Sequence, residues 1–149
     1  MIALMPIALP FYPQETRYSC VPACLRMILA HMDILVDEAV LRECRHIDRL
    51  GTTVRDTVNC IQSYDLRTFA ATDATMEQLE IWLANERYLI VYLNLFPIDT
   101  LWVLHAVVAE EVSGETVTLM DPIVGRGVVH TNAFEQGWQM SKRQVIVVN

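Results

Sequence analysis

The chain has 149 residues, a hydrophobic fraction of 53% and a formal net charge of −7. This composition excludes a disordered chain, and this length fits one domain with a buried core, which we expect to span residues 1–149. An acidic chain without a cluster of basic residues is a poor candidate for binding nucleic acid.

The N-terminus is apolar, but it lacks the positive region and the small-residue cleavage site of a signal peptide. We therefore expect it to enter the fold as a strand. The longest apolar run, residues 88–96, is far shorter than the roughly 20 residues that a membrane-spanning helix needs. Without a span or an export signal, the sequence predicts a cytoplasmic protein whose cysteines stay reduced.

Helical periodicity dominates the first half of the chain, and β-branched and aromatic residues dominate the second half. Predicted helices span residues 21–32, 36–47, 53–64 and 75–87, and the last opens with a capping box of Thr75 and Gln78. Predicted strands span residues 67–71, 88–93, 101–112, 115–120 and 144–148. Helices followed by strands indicate an α+β fold.

The most informative residues are Gln14 and Cys20, which precede and begin the first predicted helix. A lone cysteine is more often a buried small residue than a nucleophile. A thiol at a helix start, however, has its pKa lowered by the helix dipole. A nearby amide can donate to the oxyanion that forms when a thiolate attacks a carbonyl, although Gln14 could equally be a solvated loop residue.

Such a nucleophile also needs a histidine base and a group that orients it. His31 lies about 16 Å along the helix from the cysteine, at 1.5 Å per residue, so it is too far to take the proton. His46 is predicted to cap a helix end, and His130, in a late strand or loop, remains a competitor. His105 interrupts an apolar strand where a polar residue needs a partner, and Asp121 can be that partner.

The hairpin near Gly114 decides whether His105 and Asp121 can cooperate. A two-residue Ser-Gly loop pairs Ala106 with Asp121 and sends the two side chains to opposite faces. A three-residue loop pairs Val107 with Asp121 and puts both on one face. Cooperation therefore requires an odd loop or a β-bulge.

The other three cysteines are predicted to have structural roles. Cys24 lies one helical turn after Cys20 and is predicted to be structural, and Cys44 and Cys60 are predicted to lie in the core. No Cys-x-x-Cys pair occurs, so we expect no metal site. Disulfides are possible, but nothing in the sequence indicates one.

Together these residues resemble the bacteriocin-processing, double-glycine leader peptidases, a family of papain-like cysteine peptidases. Its members carry a glutamine, a cysteine six residues later in a Cys-Gly-Pro-Ala-like helix start, a histidine in a strand and Asp-Pro sixteen residues beyond it. The matching residues are Gln14, Cys20-Val-Pro-Ala, His105-Ala-Val-Val and Asp121-Pro122, with Gly125-Arg126, Phe134 and Trp138 similar to the closing segment.

The resemblance implies a papain-like α+β fold in which a helix that starts at the nucleophile packs, with other N-terminal helices, on a C-terminal antiparallel sheet. It implies Cys20 as nucleophile, His105 as general base and acid, and Asp121 as the orienting residue. The Gln14 amide and the Cys20 backbone N–H would form the oxyanion hole. The implied substrate is a bacterial leader peptide cut after Gly-Gly or Gly-Ala, without a cofactor, and an exporter is a possible further partner.

Two features depart from the family pattern. Val21 stands where the family usually has glycine, and its branched side chain is expected to narrow the cleft or to shift the local backbone. Tyr18, Trp102 and residues 10–13 are expected to wall the same groove, which would favour small residues on the acyl side of the cut.

The family is best known as the N-terminal domain of an exporting ATPase, but this sequence has neither a membrane span nor a phosphate-binding loop. It therefore suggests a stand-alone protein or an excised domain.

Three functions remain open on these residues. A leader peptidase uses the whole Gln-Cys-His-Asp set, whereas a non-catalytic peptide-binding domain on the same fold has no need of a thiol. An acyltransferase would pass the same thioester to an amine instead of water. Because the first half-reaction is shared, the sequence supports hydrolysis and acyl transfer alike.

Overall fold

The fold is described from a computed structural model that covers residues 7–44, 47–48, 51–52 and 54–149. The helices are α1 (Cys20–His31), α2 (Glu38–Cys44), α3 (Val54–Gln62), α4 (Met76–Ala84), α5 (Phe96–Asp99) and α6 (Thr131–Gln139). The strands are β1 (Ile47–Asp48), β2 (Gly51–Thr52), β3 (Thr68–Ala71), β4 (Tyr88–Asn94), β5 (Leu104–Ser113), β6 (Thr116–Asp121), β7 (Gly125–His130) and β8 (Val145–Val148).

A six-stranded sheet with the order β3-β8-β4-β5-β6-β7 forms the centre of the fold, and every neighbouring pair is antiparallel. One face packs against α1, α3 and the N-terminal segment, and the other face packs against α4 and α6. The two apolar faces therefore give two core layers on one sheet. The predicted α+β class with an antiparallel sheet is confirmed.

The predicted elements are found with boundary shifts, and the capping box at Thr75 is present. The second helix is shorter than predicted and ends at Cys44. The sequence pattern does not predict α5, α6, β7 or the short pair β1–β2. Residues 7–14 form no strand, contrary to expectation, and residues 1–6 lie outside the described part of the chain.

The β5–β6 hairpin combines a two-residue turn with a bulge. Ser113 pairs with Thr116 across the turn, whereas farther along the hairpin Ala109 pairs with Leu119. Glu110 is therefore the extra residue on β5, without an opposed partner on β6. Of the two arrangements that the sequence allowed for cooperation, the structure has the bulge.

The bulge changes which side chains share a face of the sheet. Val112 and Ala109 lie on opposite sides of the bulge and are three residues apart, yet both pack in the same core cluster. The register beyond the bulge, continued to the end of β6, sets Val107 opposite Asp121. His105 is then the diagonal neighbour of Asp121 on the same face.

A disulfide joins Cys44, at the end of α2, to Cys60 in α3. The prediction that both cysteines are reduced core residues is therefore wrong, although Cys60 is buried. Cys44 is exposed. Because disulfides persist mainly in oxidising compartments, this bond does not fit the expected reducing environment. Helical periodicity shows which face is buried, but it does not show which cysteines meet across two helices.

Candidate active site

Cys20 is the first residue of α1 and is half-buried. The preceding Ser19 does not cap the helix through its side chain. Its hydroxyl instead accepts a hydrogen bond from the Thr16 N–H at 3.0 Å and donates one to the Thr16 carbonyl at 3.1 Å. This closed turn fixes the approach to the helix, so the thiol lies where the positive end of the helix dipole is felt most.

His105 stands on β5, opposite Leu93 on β4, and is only 5% exposed. Its Nε2 lies 2.9 Å from Oδ1 of Asp121, and the Cys20 side chain is near enough to the ring to help raise its pKa. Since Asp121 engages Nε2, Nδ1 is the nitrogen left for the thiol. The same Oδ1 accepts a bond from the Ile123 N–H at 2.7 Å, which fixes the carboxylate. The structure thus brings thiol, imidazole and carboxylate together in one interacting group.

The electrostatics of this chain favour a charged thiol–imidazole pair. Burial alone raises the pKa of the Cys20 thiol, but the His105 hydrogen bond and charge and the Ala106 and Val21 backbone N–H groups outweigh burial and lower it. Burial alone lowers the pKa of His105, but its hydrogen bonds to Asp121 and Cys20, with their negative charges, raise it to about 9. These opposite shifts widen the pH range over which thiolate and imidazolium coexist.

Asp121 remains ionised beside this pair. Burial tends to raise the pKa of Asp121, but the His105 hydrogen bond and charge, with the Ile123 and Val124 backbone N–H groups, hold it below its ordinary value. An ionised carboxylate at Nε2 both orients the ring and stabilises its positive charge.

Gln14 is held next to the turn that carries the carboxylate. Its backbone N–H donates to the Pro122 carbonyl at 2.7 Å. Its side-chain Nε2 donates to the carbonyls of Thr16 at 2.9 Å and Arg17 at 3.4 Å. The second bond is long and therefore weak, so this hydrogen of the amide can be given up to another acceptor.

The three predicted substrate-binding residues have different surroundings. Val21 is 4% exposed and packs in the core, which contradicts the expectation that its side chain narrows the cleft. Tyr18 is exposed, with the Arg17 guanidinium over its ring. Trp102 is 71% exposed and packs edge-on against Phe96.

Two other histidines, His31 and His130, are engaged elsewhere. His31 Nδ1 lies 2.6 Å from the Tyr88 hydroxyl, and the His130 ring accepts the Asn132 N–H at the start of α6. His130 is therefore a helix cap in this structure. His46 lies outside the described residues. The prediction that Cys24 is structural is supported, since it is fully buried.

Exposed apolar residues precede His105 and follow Asp121 in the sequence. The predicted strand 101–112 begins only at Leu104, so residues 101–103 lie outside the sheet and are exposed. We define the apolar rim as Phe96, Leu101, Trp102, Val103, Leu104, Ile123 and Val124. A pocket of about 130 Å³ adjoins it, with Ile98, Val107, Asp121 and Val124 in its lining.

Exposed apolar residues in such number mark a binding surface more often than a bare surface. Sequence reasoning missed the pocket because its lining comes from several elements. The exposed run from Leu101 was the one available signal, and it resembled a strand. Within the described residues no group of three or more potential metal ligands occurs, and no helix is long and apolar enough to cross a membrane.

The sequence model of the peptidase C39 family matches residues 8–148. The chain belongs to the peptidase C39 family. The resemblance drawn from Gln14, Cys20, His105 and Asp121 is therefore confirmed at the level of the family. No curated protein sequence matches this family member significantly.

Solved structures show the same fold for this C39 family member. A double glycine motif protease from an AMS/PCAT transporter, solved with its leader peptide, matches with a TM-score of 0.75 and 18% identity over 98% of both chains. The peptidase domain of Streptococcus ComA, a bifunctional ABC transporter of a quorum-sensing pathway, matches with a TM-score of 0.72 and 19% identity over 91% of this chain and 94% of its own. The peptidase domain of Streptococcus mutans ComA matches with a TM-score of 0.65 and 19% identity over 93% of this chain and 98% of its own.

Proposed function

We propose that this C39 family member is a cysteine peptidase that cleaves a leader peptide after a Gly-Gly or Gly-Ala pair. The observation that carries the proposal is the hydrogen-bonded His105–Asp121 pair, whose imidazole interacts with the Cys20 thiol at the start of α1. Membership of a peptidase family supports the reaction class. A leader peptide bound to a relative of the same fold supports the substrate class.

In the proposed first half-reaction, the Cys20 thiolate attacks the scissile carbonyl carbon and forms a C–S bond. The carbonyl electrons move to oxygen, where the Cys20 backbone N–H and the Gln14 amide stabilise the oxyanion. The oxyanion then collapses and the C–N bond breaks. The His105 imidazolium gives its proton to the leaving amine, which leaves a thioester and a neutral imidazole.

In the second half-reaction, neutral His105 takes a proton from water while the water oxygen attacks the thioester carbonyl. Collapse of this intermediate breaks the C–S bond and releases the leader as a carboxylic acid. The thiolate and the imidazolium are thereby restored. Asp121 stays ionised throughout. It orients the imidazole ring of His105, because the Ile123 backbone N–H fixes its carboxylate.

Replacing Gln14 with alanine tests the oxyanion role. We expect kcat to fall by roughly 10²–10³ with little change in KM, as loss of one oxyanion donor does. Thr16→Val is a matched control, because the Gln14 amide contacts the backbone carbonyl of Thr16 and not its side chain. Steady-state kinetics on one leader substrate give both constants, and a fall in kcat/KM that came entirely from KM would contradict the role.

The apolar rim is the proposed docking surface for the leader upstream of the cut. An amphipathic leader helix would lay its apolar face on the rim, with one side chain in the adjoining pocket. Glycine at the last two acyl positions would let the backbone approach the thiol closely. Because Val21 is buried, the restriction to small residues falls to Tyr18, Trp102 and residues 10–13 rather than to that side chain.

Trp102→Ala is expected to raise KM about thirtyfold or more and to leave kcat nearly unchanged, since truncating a buried aromatic at an interface commonly costs about 2 kcal/mol or more. Leu35→Ala is the matched control, because Leu35 is also an exposed apolar residue but lies outside the rim. The measurement is kinetics on a full leader and on a short Gly-Gly peptide. If Trp102→Ala affected both substrates equally, Trp102 would act only in the acyl-side groove and not in leader docking.

The reaction itself is tested by mass spectrometry of precursor peptides incubated with the protein. The peptides vary in leader length and in the last two acyl-side residues, and each is tested with and without added amines. Cleavage after Gly-Gly that requires the leader supports the proposal. Amine adducts in place of the free acid would indicate an acyltransferase, binding without turnover would indicate a peptide-binding domain, and leader-independent cleavage after bulky residues would indicate a general protease.

Three further parts of the proposal concern context. We propose that residues 1–149 act as one peptidase domain and that an exporter receives the cleaved product, because two relatives of this fold are peptidase domains of ComA, one of them named as a bifunctional ABC transporter. The cytoplasmic location also stays a prediction. The disulfide between Cys44 and Cys60 counts against it.

A further inference from the structure

Glu110 is a buried carboxylate at the bulge of the β5–β6 hairpin, and its surroundings are unusual for an acidic residue. It is 2% exposed. Arg126 binds the carboxylate through two bonds, Nε to Oε1 at 2.7 Å and Nη2 to Oε2 at 2.9 Å. The backbone N–H of Leu9 donates a third bond to Oε2 at 2.7 Å. Such a group is costly to bury unless these partners are present.

Arg126 closes the arrangement from the neighbouring strand. It stands on β7, and its Nη2 also donates to the Leu9 carbonyl at 2.8 Å. Glu110, Arg126 and the Leu9 backbone thus form a closed set of four hydrogen bonds that joins β5, β7 and the N-terminal segment. We call this set the bulge clamp.

The position of the bulge clamp matters because the bulge decides the face on which Asp121 lies. Without an extra residue, the turn register that pairs Ser113 with Thr116 would continue unbroken and set Val108 opposite Asp121. His105 would then point to the other face of the sheet. A bulge at any point between the turn and the end of β6 restores the contact, and the clamp lies on the bulged residue itself.

The clamp also acts on the segment that leads to the nucleophile. Leu9 lies five residues before Gln14, whose backbone N–H is bonded to Pro122, next to Asp121. The N-terminal segment is therefore attached at one point to the bulge and at another to the turn that carries the carboxylate. Both attachments converge on the same His105–Asp121 contact.

From this geometry we propose that Glu110 and Arg126 are positioning residues of the catalytic site: they fix the bulge in register and so hold Asp121 on the face of His105. The inference rests on the proposed function for the roles of His105 and Asp121. It adds a requirement that neither the resemblance nor the triad itself contains. Replacing the charged side chains of Glu110 and Arg126 should leave the fold intact but loosen the orientation of the His105 imidazole.

The test is the pH dependence of Cys20 alkylation by iodoacetamide, combined with thermal unfolding, for wild type and variants. Glu110→Gln and Arg126→Gln break the clamp from either side. In the double variant Glu110→Leu with Arg126→Met, both charges are replaced by apolar groups, which commonly preserves stability where a single break does not. Glu135→Gln is the matched control, since Glu135 lies on α6 and its ion pair with Arg143 is outside the site.

We expect the acidic limb of the alkylation profile to move about one pH unit higher in both single variants, so that the rate on that limb falls about tenfold, because the thiolate fraction there falls tenfold for each unit by which the thiol pKa rises. The double variant should keep the melting temperature near wild type without regaining the rate, and Glu135→Gln should keep the wild-type profile. A wild-type profile in all clamp variants, or recovery of rate and stability together in the double variant, would overturn the proposal. Alkylation needs no peptide, so a wild type that cleaves nothing would refute the proposed function without refuting the clamp.

Discussion

Replacing Cys20 with alanine is expected to abolish peptide cleavage while leaving leader binding intact. Removal of a nucleophile from a protease triad lowers kcat by about 10⁶. The apolar rim that we assign to leader binding does not include the thiol. A single-turnover assay with a full precursor peptide gives the chemical rate, and titration calorimetry on the same variant gives the leader affinity.

Cys24→Ala is the matched control for this substitution. Cys24 is fully buried one turn along α1, and its thiol donates to the Ala106 carbonyl at 3.5 Å. Its loss should lower stability, because it leaves a small cavity, but kcat should stay within a few-fold of wild type. Equal damage to kcat from both variants would mean that the wrong thiol has been assigned as nucleophile.

His105→Ala has the second largest expected effect, because one side chain both lowers the pKa of the thiol and protonates the leaving amine. We expect kcat to fall by about 10⁴ or more, since general acid–base catalysis and thiolate formation are lost together. His130→Ala is the control, because His130 caps α6 in the structure. A similar loss from His130→Ala, with His105→Ala active, would exchange the two assignments.

The pH profile of the wild type follows from the same pair, and its signs are fixed by the two shifts. The imidazolium is lost as the pH rises through about 9, the raised pKa of His105, so kcat should fall there. The thiolate is lost as the pH falls through the lowered pKa of Cys20, which gives the acidic limb. The stability contributed by protonated His105 is likewise complete below about 6.5, its ordinary pKa, and disappears as the pH rises through about 9.

Much of the site could be predicted from local sequence because its members have local signatures. Cys20 begins a helix with an apolar face, and His105 interrupts a strand whose other residues are apolar. The condition on the hairpin also came from sequence, since side chains alternate with a period of two along a strand. The location of the bulge could not be predicted. Glu110 is an extra residue only in relation to the strand register that the β5–β6 turn sets, and that register is known only from the structure.

Other features depended on tertiary contacts that carry no periodic signal. Val21 was expected to face the cleft because it follows the nucleophile, but the rotation of α1 turns it into the core. The disulfide depends on how α2 and α3 approach each other. The strand β7 contains two glycines and an arginine, a composition that is not typical of a strand. The position of Arg126 in that strand is explained by its buried partner Glu110, which the sequence does not indicate.

The central claim, that Cys20 is a thiolate nucleophile paired with His105, is tested most directly by alkylation of the unmodified protein followed by peptide mapping. Iodoacetamide is applied between pH 5 and 10, and the rate is measured separately for Cys20 and Cys24. We predict that Cys20 reacts first, with an inflexion well below the value of about 8.5 of a free thiol, while buried Cys24 stays unlabelled. Faster labelling of Cys24, or a Cys20 rate that rises only above pH 8.5, would contradict the account.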